Sequence, residues 1–145
     1  MYSNNQGEIK VFIAHHGGPF WKKKDNGAWS IPKGEVNDDE NTFEAAKREF
    51  FEETGIAPPK SGYLNLGSVK LKSGKTIHVF AFEGTNKEKF ISSNSVEIDN
   101  KRTGKKIIFP EVDKAEYFSL GEARLKLHPV YLEIIERLEK ALQKG

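Results

Sequence analysis

With 145 residues and no cysteine, the chain has room for one core and none for disulfides or thiolate-held metals. Apolar residues make up 37% and charged residues 30%, with 10 Phe, 4 Tyr and 2 Trp to fill an interior, which excludes a disordered chain. A net charge of +2, from 23 basic and 21 acidic side chains, gives no reason to expect duplex DNA or an anionic membrane as partner. No apolar run approaches the roughly 20 residues of a membrane span. Residues 1–10 are polar and lack a signal-peptide apolar stretch, so a cytoplasmic protein is expected, built as one domain over residues 1–145.

Residues 8–14 read as a strand, with Ile9, Val11 and Ile13 alternating against Glu8, Lys10 and Phe12. His15-His16-Gly17-Gly18-Pro19 is expected to break it, and residues 20–28 read as a loop rich in Lys, Asp, Asn and Gly. Residues 29–31 form a short strand stopped by Pro32. Residues 42–54 predict a helix, because Gly55 stands where a C-terminal cap belongs and Pro58-Pro59 forbids continuation. Residues 63–72 and 76–82 alternate like strands around a Ser73-Gly74-Lys75 turn. Residues 84–104 are polar and carry no clear period. A strand over 114–118, a short helix over 120–127 and an amphipathic helix over 129–142 complete the chain, the last with Tyr131, Ile134, Ile135, Leu138 and Leu142 on one face. The sum is an α/β (α+β) sandwich, helices packed on a mixed sheet.

The stretch that carries chemistry is 34–56. On a helix advancing about 100° per residue, Phe43, Ala46 and Phe50 share a buried stripe, while Glu49, Glu52 and Glu53 share the neighbouring arc. Carboxylates one turn apart repel. A hard divalent cation such as Mg²⁺ or Mn²⁺ would supply the counter-charge, polarise a bridged phosphate and activate a water. The other reading of such a face is a solvated acidic surface. Arg48 is placed to pair with Glu52 or another carboxylate. Ahead of the helix, Trp29-Ser30-Ile31-Pro32-Lys33-Gly34-Glu35 sets a rigid Pro and a flexible Gly before an acidic loop.

In order the pattern is Gly34, five residues, Glu40, seven residues, Arg48-Glu49-Phe50, one residue, Glu52-Glu53, one residue, Gly55-Ile56. This resembles the Nudix box of the Nudix hydrolases, with all nine fixed positions filled over 23 residues. The resemblance implies an α/β/α sandwich in which the box forms a loop–helix–loop. It implies Glu49, Glu52 and Glu53 as Mg²⁺ or Mn²⁺ ligands, with the Gly34 carbonyl added. Arg48 would orient a glutamate, Glu40 would support the loop, and Phe50 and Ile56 would be core. The reaction implied is attack of water on a phosphorus of a nucleoside-diphosphate-linked substrate. The general base would be Glu52 or Glu53 in the box, or outside it Glu97 first and Glu111 second.

Lys33 beside Gly34 is a candidate contact for substrate phosphate. Trp29, five residues before Gly34, is the candidate base-stacking aromatic among Phe20, Trp21, Trp29 and Tyr63. Lys101, Arg102, Lys105 and Lys106 read as a flexible basic loop or an anion-binding lip. His15 and His16 are not expected to pair on a metal, because strand neighbours point to opposite faces.

The entry Pro32-Lys33-Gly34 is similar to that of Nudix enzymes acting on dinucleoside polyphosphates and inositol pyrophosphates, which often carry His where this chain has Glu35. Gly17 to Trp21, the run from Trp29 to Glu35, and Phe109-Pro110-Glu111-Val112-Asp113 resemble small prokaryotic Nudix proteins described as nucleoside-triphosphate pyrophosphohydrolases. Three functions follow as expectations. The first is a Mg²⁺-dependent hydrolase of a dinucleoside polyphosphate or related small nucleotide. The second is a house-cleaning nucleoside-triphosphate pyrophosphatase, and the third a non-catalytic nucleotide-sensing module.

Overall fold

The structure is a computed structural model that describes residues 1–33 and 40–143. Its spine is β2 (Glu8–His16), whose two edges are both occupied. Along one edge lie β1 (Tyr2–Asn5) and then β3 (Trp29–Ser30); along the other lies β8 (Val112–Ser119), all antiparallel to β2. The β1–β2 hairpin closes through Gln6 and Gly7, both at positive φ (54° and 90°), the geometry a two-residue turn between twisted strands requires. Two parallel bridges, Tyr2 with Glu83 and Trp29 with Leu127, make the sheet mixed.

Both faces of β2 are covered, which is why its middle reads as a continuous apolar run, VFIA. Val11 and Ile13 join Trp29, Leu127, Tyr131, Ile134 and Leu138 in the larger core. Phe12 and Ala14 join Val112 and Ala115 in the smaller core on the opposite face. Each such aliphatic or aromatic side chain contributes roughly 1.5–3 kcal/mol when fully buried. The larger core is closed by α2 (Leu120–Lys126), the short 3-10 turn Pro129–Tyr131 and α3 (Leu132–Gln143). Ser119 caps α2 by accepting from the Glu122 N–H, and Pro129 starts the 3-10 turn, where its missing N–H costs nothing.

The helix of the sequence motif is α1 (Thr42–Thr54), beside the hairpin β4 (Leu64–Lys70) and β5 (Thr76–Ala81). Phe50 meets Phe82 edge to face at 5.1 Å, and Phe43 meets both Tyr63 and Phe80. The remaining strands, β6 (Ser95–Asp99) and β7 (Lys106–Pro110), pair only with each other and form a separate ribbon. Among the described residues no helix is long and apolar enough to cross a membrane.

Three features depart from the sequence reading. Strand β2 runs through His15 and His16 before the chain turns, because β3 and β8 both offer those residues pairing partners. The segments Tyr-Ser-Asn-Asn, 95–99 and 106–110 are strands, which the sequence reading did not assign. The helix expected over 129–142 begins as a 3-10 turn, forced by Pro129.

Candidate active site

Helix α1 is set at both ends by its own sequence. Asn41 caps the start, its side-chain oxygen accepting from the Glu44 N–H at 2.8 Å. Gly55 ends it in the left-handed region at φ 78°, donating its N–H to the Phe51 carbonyl. Two carbonyls of the last turn, which a free helix would leave to solvent, are taken up by a strap of chain. Asn94 N–H donates to the Glu52 carbonyl at 2.8 Å, and the Ile91 and Ser92 N–H groups donate to the Thr54 carbonyl.

The fixed register of α1 brings Glu49, Glu52 and Glu53 together along one side. Arg48 reaches across them as a hub. Its Nε and Nη2 donate to the two oxygens of Glu40 at 2.8 and 3.0 Å, a bidentate fork, while Nη1 donates to Glu49 at 2.7 Å and Glu52 at 3.0 Å. Glu40, expected as a support, is thus the second anchor of that guanidinium.

Glu53 is only 3% exposed and Glu49 only 8%. The Glu53 carboxylate accepts the Lys33 backbone N–H at 2.8 Å, which ties the end of the helix to the segment leading into the motif. Burial pushes the Glu53 carboxyl up to about 9, and the charges of Glu111 and Glu49 add to the rise. Glu49 is also raised, first by burial, with Arg48 opposing and the charges of Glu52 and Glu111 reinforcing. The Tyr131 hydroxyl is pushed up to about 12 by burial and then by the charge of Glu53. Burial is thus the first reason that Glu49 and Glu53 hold their protons more tightly, and the neighbouring carboxylates add to it.

Glu111 belongs to this cluster. Its side chain accepts from Asn94 Nδ2 at 2.9 Å, its N–H donates to the Asn94 carbonyl, and its own carbonyl accepts the Gly17 N–H. Asn94 therefore bonds α1 and Glu111 at once. Glu97 stands on the exposed ribbon, paired with Lys106 at 3.4 Å. Of the two carboxylates outside the motif, Glu111 is the one whose charge bears on Glu49 and Glu53.

Trp29 is a correction. At 1% exposure it packs edge to face against His15 and Phe118 and donates its indole N–H to Asp25, so it has no face left for a base. Gly34 lies outside the described residues. Lys33 is half-buried, next to Glu53. Among the described residues, no three acidic or imidazole side chains converge as a ready-made metal cage, because Arg48 draws Glu49 and Glu52 while the Lys33 N–H holds Glu53. His15 and His16 do not pair. The ring nitrogens of His15 face Asp113 and the Lys24 carbonyl, whereas burial lowers His16 to about 4.

A cavity of about 500 Å³ opens beside α1, bordered by Ile31, Lys33, Thr42, Lys47, Phe50 and Phe80. Residues 2–138 match the NUDIX domain family. The chain belongs to the Nudix family. Its Nudix fold is shared with a Caenorhabditis elegans Ap4A hydrolase, solved as a binary complex, at a TM-score of 0.68 and 17% identity, covering 99% of this chain and 95% of that one. The MutT protein of Methanosarcina mazei Go1 follows at 0.56 and 20% identity, covering 97% and 89%. RNA pyrophosphohydrolases from two strains of Rhodopseudomonas palustris are similar over shorter segments. The identities are 44% over 46 residues for strain HaA2 and 39% over 56 residues for strain ATCC BAA-98 / CGA009. Those segments cover 32% and 39% of this Nudix chain and 28% and 32% of the relatives, so they span under a third of either relative's length.

Two contributors to the site carried no sequence signal. Asn94 sits in the polar stretch without a period, and Tyr131 reads as plain core. Only the strap and the packing of the 3-10 turn bring them to Glu52 and Glu53.

Proposed function

We propose that the chain hydrolyses a phosphoanhydride bond of a nucleoside-diphosphate-linked substrate, a dinucleoside polyphosphate being the type, with Mg²⁺ or Mn²⁺ as cofactor. The observation that carries this is the gathering of Glu49, Glu52 and Glu53 along one side of α1 about Arg48, with Glu111 close enough for its charge to raise Glu49 and Glu53. The donor set consists of carboxylate oxygens, and the charges of its neighbours help to raise Glu53, so it fits a hard divalent cation. Glu49, Glu52 and Glu53, with the Gly34 carbonyl, would hold the ion, which when bound polarises the phosphorus and lowers the pKa of a water.

The remaining work falls to the chain. Arg48 holds Glu49 and Glu52 in one rotamer through its fork on Glu40. Glu53 or Glu52 takes the proton of the attacking water, with Glu111 the alternative base outside the motif. Lys33, fixed by its backbone bond to Glu53, presents its ammonium to a phosphate. The cavity beside α1 would take the nucleoside against Ile31, Phe50 and Phe80. The reading treats residues 1–145 as one catalytic domain working in the cytoplasm.

A second reading, cleavage at the 5′ end of RNA, is favoured by the 44% identity to an RNA pyrophosphohydrolase. A panel containing a dinucleoside tetraphosphate, nucleoside triphosphates and a 5′-triphosphorylated RNA, incubated with Mg²⁺ and resolved by chromatography, separates the two. Release of mononucleotides favours the first, and release of pyrophosphate from RNA the second. Nucleotide binding with no cleavage in Mg²⁺ or Mn²⁺ would leave a sensing module.

A further inference from the structure

Among the described residues, β6 and β7 pair with no strand but each other, and the outer half of their ribbon is exposed. Its base is built into the catalytic end of the molecule. Ser95 pairs with Pro110, and just below that pair Asn94 bonds to both the Glu52 carbonyl and Glu111. Phe109 lies over Gly18, where an added Cβ would come within 2.6 Å of its ring. The ribbon therefore leaves the surface directly beside the acidic helix, held on two sides.

Outward from there its character changes. Residues 100–106, Asn-Lys-Arg-Thr-Gly-Lys-Lys, carry four cations and no acid, and all four cations are exposed. Lys106 pairs with Glu97, but among the described residues Lys101, Arg102 and Lys105 have no carboxylate partner. Ile98 and Ile107 pair across the ribbon on one face and are 52% and 38% exposed. Four residue steps separate Ser95 from Asp99, so the ribbon carries its cationic tip about 13 Å beyond Ser95. A nucleoside triphosphate with its anhydride at Glu53 has all its phosphates near that end and leaves nothing for the tip to neutralise.

We infer that the β6–β7 ribbon is a nucleic-acid arm of the same site, its tip holding the sugar–phosphate chain of a single-stranded oligonucleotide whose 5′ phosphoanhydride lies at α1. This rests on the phosphoanhydride reading of α1 and extends it to the substrate's length. Evenly spaced phosphates suit a line of exposed cations, and the unstacked bases of a single strand suit the bare isoleucine face. A duplex would present its backbone to the tip but no unstacked bases to Ile98 and Ile107.

The test is the triple variant Lys101→Ala/Arg102→Ala/Lys105→Ala, which touches neither α1 nor the strap. Wild type and variant are compared for kcat/KM on a 5′-triphosphorylated RNA of roughly 12 nucleotides and on the mononucleotide or dinucleotide substrate that the wild type cleaves. The same fluorescently labelled RNA is titrated by anisotropy across a salt series. The inference expects at least a tenfold loss of kcat/KM on the RNA and no change on the short substrate. It also expects a salt dependence of RNA binding shallower by about 2 in log–log slope, from losing about three phosphate contacts. Equal losses on both substrates, or none on either, overturn it, as does a wild type that binds the blunt duplex of the same sequence more tightly than the single strand. If the wild type cleaves no phosphoanhydride, the reading of α1 fails, and the anisotropy alone decides the arm: undiminished RNA binding by the variant overturns it.

Discussion

Replacing Glu53 by Gln removes one charge, keeps the side chain's volume and leaves an oxygen to accept the Lys33 N–H. In the unfolded chain this carboxyl loses its proton near the ordinary 4.5; in the fold burial holds the proton until about 9. Between those values unfolding releases a proton, so rising pH favours the unfolded state, and the metal-free protein loses stability as the solution becomes more alkaline. At about 1.4 kcal/mol per pH unit, going from pH 5 to pH 8 costs the wild type up to about 4 kcal/mol from this group, and half that if water relaxes around the carboxylate. The Gln variant has no such proton. Urea unfolding in EDTA at pH 5, 6, 7 and 8 is therefore expected to give two curves that meet at the acid end and separate upward, the variant being the more stable at pH 8. Adding Mg²⁺ is expected to rescue the wild type at pH 8 and leave the variant unmoved, while turnover of the variant falls by a factor of 100 or more. Parallel pH profiles, or equal stabilisation of both proteins by Mg²⁺, would refute Glu53 as a buried, metal-binding carboxyl.

Arg48→Lys keeps the charge but loses the fork on Glu40, and is expected to weaken Mg²⁺ binding by about 10–100-fold in a titration followed by calorimetry. Lys33→Ala is expected to raise KM about tenfold with a small change in kcat, measured by steady-state kinetics. Gly17→Ala puts a Cβ 1.9 Å from the Pro110 carbonyl and is expected to lower stability by about 2 kcal/mol in thermal unfolding, and to lower kcat with it by shifting Glu111. His16 is held near 4 in the fold against 6.5 unfolded, so its contribution is whole above pH 6.5 and fades as the pH falls toward 4. His16→Gln is expected to flatten the acid limb of the stability profile by about 1–2 kcal/mol, after allowing for the ring's partial exposure.

The helix and its site were legible because several local signals agreed: Gly55 and two prolines after the helix, and glutamates at helical spacing within it. The pairing of Arg48 with Glu52 was readable from one turn of helix, but its bidentate hold on Glu40 was not, since Glu40 precedes the helix and helical spacing does not place it. Strand β2 was legible in its alternation, yet its true role as a spine buried on both faces shows only when Phe12 and Ala14 find Val112 and Ala115 nearly a hundred residues away. Trp29 was misplaced because sequence distance to Gly34 says nothing about which side of the sheet an indole takes. The choice between Glu97 and Glu111 turned on one residue of context: Glu111 follows the last ribbon pair and is drawn in by Asn94, whereas Glu97 lies inside the ribbon and points outward.

The closure at Asn94 and Glu111 has an implication for how this protein could change over time. Both ends of the sixteen-residue excursion between them are fastened to each other and to α1, so the chain enters and leaves at a single point. Insertions, deletions or wholesale exchange of the excursion would alter what the chain reaches without loosening the last turn of α1. A short Gly-rich bridge grafted there should give a trimmed protein with its core unchanged, and longer grafts a set of interchangeable attachments on one chemical engine.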